Sequence, residues 1–213
     1  MKSNNKMSLT QHNFITLDIE GDASANQCRS LFPDANHFDP NTIPWCITVV
    51  NDTSAITCVC KLPDKPREYI VNDKPSGIYT KTLHEQSTIV PIGNINFTFE
   101  GIQYKSKLIE CKSVKELMMK VSLVLQVCQS KNMTCYCKPY YEYQYDRDLL
   151  SLRFADYNID PHCLDVIKPY HCFFDSYMQQ MQYCDNQTFM NNGIRHNIVD
   201  AVKLYECVKK DLH

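Results

Sequence analysis

FITLDIEGD, residues 14–22, decides how the rest of the chain is read. Phe14, Ile15, Leu17 and Ile19 make this run apolar enough for a buried first strand. In a strand, residues i and i+2 point to the same face, so Asp18 and Glu20 share one. Two carboxylates held that close repel each other, and burial raises the cost of both charges. A divalent cation bound by hard oxygen ligands compensates such a pair. A strand end at which both acids reach water is the other solution, and Asp-x-Glu alone is too short a pattern to choose between them.

The composition around this strand is that of a folded chain. Its 213 residues suit one domain of generous size or one domain with an insertion, and 44% hydrophobic with 22% charged residues is ordinary. Residues 1–13 are polar and aperiodic and predict a flexible N-terminus, leaving 14–213 as a single domain. A net charge of -2 and a pI near 6.4 argue against a broad cationic surface for coating a duplex. A narrow nucleic-acid site remains open, because bound metal can supply the positive charge there.

Twelve cysteines and four N-x-[ST] sequons (Asn51, Asn96, Asn132 and Asn186) suit a secreted disulfide protein. No apolar segment follows Met1, however, and the longest apolar stretch, 121–128, is broken by Ser122 and Gln126 and too short to span a membrane. The expectation is a reduced, intracellular protein of the cytoplasm or nucleus, with no membrane partner and incidental sequons. Abundant Asn, Lys, Ile and Tyr would suit an AT-rich viral genome.

Working outward, residues 43–50 predict a second strand, Asn51-Asp52 a turn, and residues 54–62 a third strand pairing antiparallel. Residues 63–112 read as an irregular, β-rich insertion: a Pro-containing stretch, a strand near 87–92, then a hairpin over 95–109 turning at Glu100-Gly101. Ser113 and Glu116 form a capping box for a helix whose apolar positions are Val114, Leu117, Met118, Val121, Val124, Leu125 and Cys128. Lys131-Asn132 ends it, and residues 133–137 predict a short strand. Helices are expected over 143–157, 173–183 and 196–212. The whole predicts an α/β fold with a mixed sheet.

Two further acids stand out by position. Asp146 follows the aromatic run YYEYQY and opens an apolar helix, and Asp200 lies one helical turn after His196, on the same face. Four carboxylates and one imidazole are the inventory for two-metal phosphodiester hydrolysis, in which the cations sit about 3.5–4 Å apart. An imidazole, titrating near neutrality, can take the proton from attacking water.

The order of these motifs resembles the DEDD 3′→5′ exonucleases, in particular their His branch. F-x-x-x-D-x-E-G on a first strand followed by P-W-x-I-x-x-V resembles their opening. Tyr145-Asp146 opening a helix resembles the second motif, and His196 with Asp200 on the final helix resembles the third. The resemblance covers residues 14–62 and 113–210. It implies a ribonuclease-H-like fold: a mixed sheet, antiparallel in its first three strands and then parallel, flanked by helices. It also implies two Mg²⁺ or Mn²⁺ ions held by Asp18, Glu20, Asp146 and Asp200, with His196 as general base. The substrate implied is a single-stranded 3′ end of DNA or RNA, and the product a nucleoside 5′-monophosphate.

Three positions depart from the family pattern. The spacing is H-x3-D where the His branch has H-x4-D, Glu142 stands where Asn is common, and Asp148 is an alternative ligand to Asp146. Gly21 either lets a nucleotide approach the backbone or simply ends the strand. Tyr140, Tyr141, Tyr143, Phe38 and Trp45 either stack a terminal base or fill the core. Lys138 and Arg195 either touch phosphate or lie on the solvated surface. Cys135, Cys137, His162, Cys163, His171 and Cys172 either hold a structural zinc, as nidovirus-type exonucleases do in this interval, or are buried free side chains. Two rival functions follow: a catalytically inactive relative that binds nucleic acid or protein, and a zinc-stabilised, cysteine-rich interaction protein.

Overall fold

The computed structural model describes residues 13–22, 42–61, 67–69, 93–99, 101–139, 144–172, 181–184 and 186–212. In chain order these form β1 (Phe14–Asp22), β2 (Ile43–Asn51), β3 (Ser54–Cys60), β4 (Arg67–Tyr69), β5 (Gly93–Phe99) and β6 (Ile102–Cys111). There follow α1 (Val114–Ser130), β7 (Thr134–Cys137), α2 (Tyr145–Asp156), a 3-10 helix (Pro161–Val166), β8 (Ile167–Pro169), β9 (Met181–Cys184) and α3 (Asn186–Asp211).

The fold is α/β. Seven strands form one mixed sheet in the order β5-β6-β3-β2-β1-β7-β8, and β4 pairs with β9 in a separate two-stranded sheet. β2 runs antiparallel to both β1 and β3, the β2–β3 hairpin turning at Asp52 with φ 51°. β7 and β8 then add in parallel to β1. The β5–β6 hairpin, turning at Gly101 (φ 82°), continues the same sheet, because β6 lies parallel to β3. Its attachment is long-range, so no local pattern announces it.

Period-two alternation sorts β1 between the two faces. Ile15, Leu17 and Ile19 join the larger core cluster together with Leu117, Met118, Val121 and Leu125 of α1. Thr16, Asp18 and Glu20 face α3 instead, and the Thr16 hydroxyl donates to the Ala201 carbonyl at 2.8 Å. A smaller cluster of Phe14, Val50, Ala55 and Tyr104 packs against Ala201, Val202, Tyr205 and Val208 of α3. Burial of these apolar faces pins β1 between helices on both sides.

Ser113 caps α1 as expected, while Glu116 closes the box one residue earlier than the usual pattern. The Glu116 amide donates to Ser113 Oγ at 3.2 Å, and Glu116 Oε2 reaches back to the Lys112 amide at 2.8 Å. Two expected elements differ. Residues 181–183, read as the end of a helix, belong to strand β9 paired with β4; a short apolar run does not separate the two periods, and a distant partner decides. Residues 173–180 of that expected helix, and the strand expected near 87–92, lie outside the described residues.

The final helix begins at Asn186, ten residues before the expected start. Asn-Asn-Gly at 191–193 reads locally as a turn, but Gly193 sits within the helix. A Cβ there would lie 2.6 Å from the Trp45 ring, so glycine is what lets α3 close on β2. Trp45 is 1% exposed and therefore part of the core, which removes it from the candidate base-stacking residues. No helix among the described residues is long and apolar enough to cross a membrane.

Candidate functional site

Three elements bring the candidate carboxylates to one place. β1 supplies Asp18 and Glu20 from the face turned toward α3. α3 supplies His196 and Asp200, one turn apart on a helix already formed for three turns before His196. His196 Nε2 lies 3.4 Å from Glu20 Oε1 and 3.7 Å from Asp200 Oδ2. The three-residue spacing between His196 and Asp200 thus places both side chains toward Glu20.

α2 supplies Asp146 from its first turn, where the helix dipole favours an acid. Asp146 is 6% exposed and close enough to Asp18 to raise its pKa. Asp148, its alternative, points elsewhere. It lines a cavity of about 300 Å³ together with Arg147, Ser151, Pro161, His162, Leu164 and Asp165. Two residues apart on a helix is about 200° of rotation, so the two acids cannot serve one centre.

The electrostatics express the crowding. Burial, and then the charges of Asp146, Glu20 and Asp200, push the Asp18 carboxyl well above the usual carboxylate range. Asp146 moves the same way through burial and the charge of Glu20. Glu20 is pushed up to about 7, chiefly by burial and further by Asp200, against the opposing influence of His196 and a hydrogen bond from Asn197. Lys138, at the end of β7, acts in the opposite sense on Asp18. Asp200 Oδ1 and His196 Nδ1 are buried and make no hydrogen bond among the described residues.

The residue that sequence reading passed over is Asn197. It is fully buried beside His196, and its Nδ2 donates to Asp18 Oδ2 at 2.6 Å. Its Oδ1 accepts from the Cys46 thiol at 3.6 Å. An amide carries no signature in sequence, and its partners are 179 and 151 residues away.

Other expectations resolve differently. Gly21 follows a register shift in the β1–β2 ladder, and a Cβ there would meet Thr42 Cγ2 at 2.3 Å. Its small size is explained by protein packing. Among the described residues, the six candidate zinc residues form no group of three or more that could hold a metal ion. Cys135 and Cys137 are fully buried on β7, the Cys163 thiol donates to the Asp160 carbonyl at 3.6 Å, and Cys172 lies beside Cys207 of α3. The ten cysteines whose side chains are described are free thiols. Tyr140, Tyr141, Tyr143, Phe38 and Glu142 lie outside the described residues.

The donor set at the main site suits a hard dication: four carboxylates and an imidazole, with one carboxylate oxygen buried and unpartnered. Among the described residues no group of three or more His, Cys, Asp or Glu side chains is arranged so that it could hold a metal ion as it stands. The chain matches no protein-family model and no curated protein sequence.

Proposed function

We propose that this protein is a metal-dependent 3′→5′ exonuclease of ribonuclease-H-like fold. The observation that carries the reading is the convergence of Asp18, Glu20, Asp146 and Asp200 from three separate elements, with His196 Nε2 turned toward them. The strand order β3-β2-β1-β7-β8, antiparallel through β1 and parallel beyond it, supports the fold. A cluster that raises its own carboxyl pKa values stores repulsion that hard cations would relieve.

The four carboxylates would hold two Mg²⁺ or Mn²⁺ ions. When bound, such ions supply charge stabilisation for an in-line phosphodiester displacement and make water more acidic. The chain's own part is positional and acid–base. His196 Nε2 takes the proton from the attacking water, and the carboxylates of Glu20 and Asp200 beside it stabilise the resulting imidazolium. The bond from phosphorus to the 3′ oxygen of the preceding nucleotide breaks. That oxygen takes up a proton from solvent and leaves as a hydroxyl, and the terminal nucleoside departs as its 5′-monophosphate.

The test is digestion of single-stranded DNA and RNA with Mn²⁺, comparing wild type with the Asp18→Ala/Glu20→Ala double variant and with His196→Ala. Release of nucleoside 5′-monophosphates by wild type, abolished in the double variant and reduced roughly 10²–10⁴-fold in His196→Ala, is the expected result. A folded wild type that releases none from any strand would leave a non-catalytic nucleic-acid or protein binder as the better reading.

A further inference from the structure

We infer that Asn197 is a positioning residue that fixes the Asp18 carboxylate for cation binding, and that the Cys46 thiol is the latch that fixes Asn197. The inference rests on the reading above only in that Asp18 is taken as a cation ligand.

An Asn side chain presents an acceptor on one side and a donor on the other, and coordinates alone do not tell the two apart. Here the amide NH₂ faces Asp18 Oδ2 at 2.6 Å and donates to it. The Oδ1 then faces Cys46, whose sulfur lies 3.6 Å away and must donate. A thiol carries a proton it can donate, and an amide oxygen can only accept. Cys46 and Asn197 are both 0% exposed, so water does not compete for either bond.

The arrangement has a purpose that packing alone does not require. Asp18 is surrounded by Asp146, Glu20 and Asp200, all of which repel it. β1 already presents Asp18 on the α3 side; the bond from Asn197 fixes how its carboxylate is turned there, and the same amide also bonds Glu20. Register places Cys46 directly opposite Glu20 on β2, so the latch is built into the strand pair that carries the acids. A hydrogen bond to a charged group is the strong kind, and orientation of a ligand by an outer partner is how metal sites are tuned.

Titration of the full chain with Mn²⁺, following the free ion by electron paramagnetic resonance, tests this without reference to activity. Asn197→Leu, close in volume but without the donor, should weaken Mn²⁺ binding roughly tenfold. In an Asp18→Ala background the same substitution should produce a much smaller further loss, because only its bond to Glu20 is left to break. Cys46→Ala should weaken binding several-fold, whereas Cys46→Ser, which keeps a donor, should restore it.

Wild-type affinity in folded Asn197→Leu, an equal loss in the Asp18→Ala background, or Cys46→Ser as weak as Cys46→Ala would each overturn the inference. If Asn197→Leu does not fold, the two Cys46 variants still decide it. Wild type that binds no Mn²⁺ overturns both this inference and the metal reading. Wild type that binds Mn²⁺ but shortens no strand overturns the nuclease reading alone.

Discussion

Neutralising Glu20 should stabilise the metal-free protein, and only at neutral to alkaline pH. Its carboxyl is raised from 4.5 to about 7, mainly by burial and next by Asp200. The folded state therefore holds this proton more tightly than the unfolded chain does. The associated stability is fully present below about pH 4.5 and is lost as pH rises through about 7. The full shift corresponds to roughly 3 kcal/mol. The Glu20 side chain remains 21% exposed, and solvent screening reduces the working figure to about 2 kcal/mol.

Glu20→Gln keeps the shape and removes the titration. For a chain of this size, about 2 kcal/mol moves the melting temperature by roughly 4–8 °C. We therefore expect Glu20→Gln in EDTA to melt that much higher than wild type at pH 8, with the difference shrinking to about 1–2 °C at pH 4.5. Mn²⁺ should narrow or reverse the gap at pH 8, because the wild type gains a cation that the variant binds poorly. Differential scanning calorimetry at the two pH values reads both effects. A variant less stable than wild type at pH 8 in EDTA, or equally stabilised at both pH values, would refute the electrostatic account.

Two further outcomes follow from the geometry. Asp146→Asn should lower Mn²⁺-dependent cleavage by roughly a hundredfold or more, given that even outer partners of metal sites are worth roughly 10–100-fold. Asp148→Asn should stay within about twofold of wild type; the reverse ranking in a nucleotide-release assay would exchange their roles. Gly193→Ala should destabilise the protein by about 1–3 kcal/mol in urea unfolding despite alanine's better helix propensity, because the added Cβ falls 2.6 Å from the Trp45 ring. A more stable Gly193→Ala would show that α3 and β2 can separate without cost.

What the sequence made legible is what depends on local period. Asp18 and Glu20 share a face because strands repeat every two residues, and His196 and Asp200 share one because helices return after four. The capping box at Ser113 is likewise local. The sequence favoured Asp146 over Asp148 through the aromatic Tyr145 before it, whereas the separation of the two side chains depends on the angle at which α2 meets the sheet. Asn197 was invisible because its meaning lies in Asp18 and Cys46, each more than 150 residues away. The parallel seating of β6 on β3, the strand at 181–184 and the helical Gly193 were missed for one shared reason. Each is decided by a partner distant in sequence rather than by its own residues.

The most direct measurement is a time course on a single strand labelled at its 5′ end, with Mn²⁺ present or chelated, resolved at single-nucleotide steps. The account predicts a ladder that shortens one nucleotide at a time from the 3′ end only when Mn²⁺ is present, and no ladder from Asp18→Ala/Glu20→Ala. An unchanged full-length strand with folded wild-type protein, or the same ladder from the double variant, would contradict it.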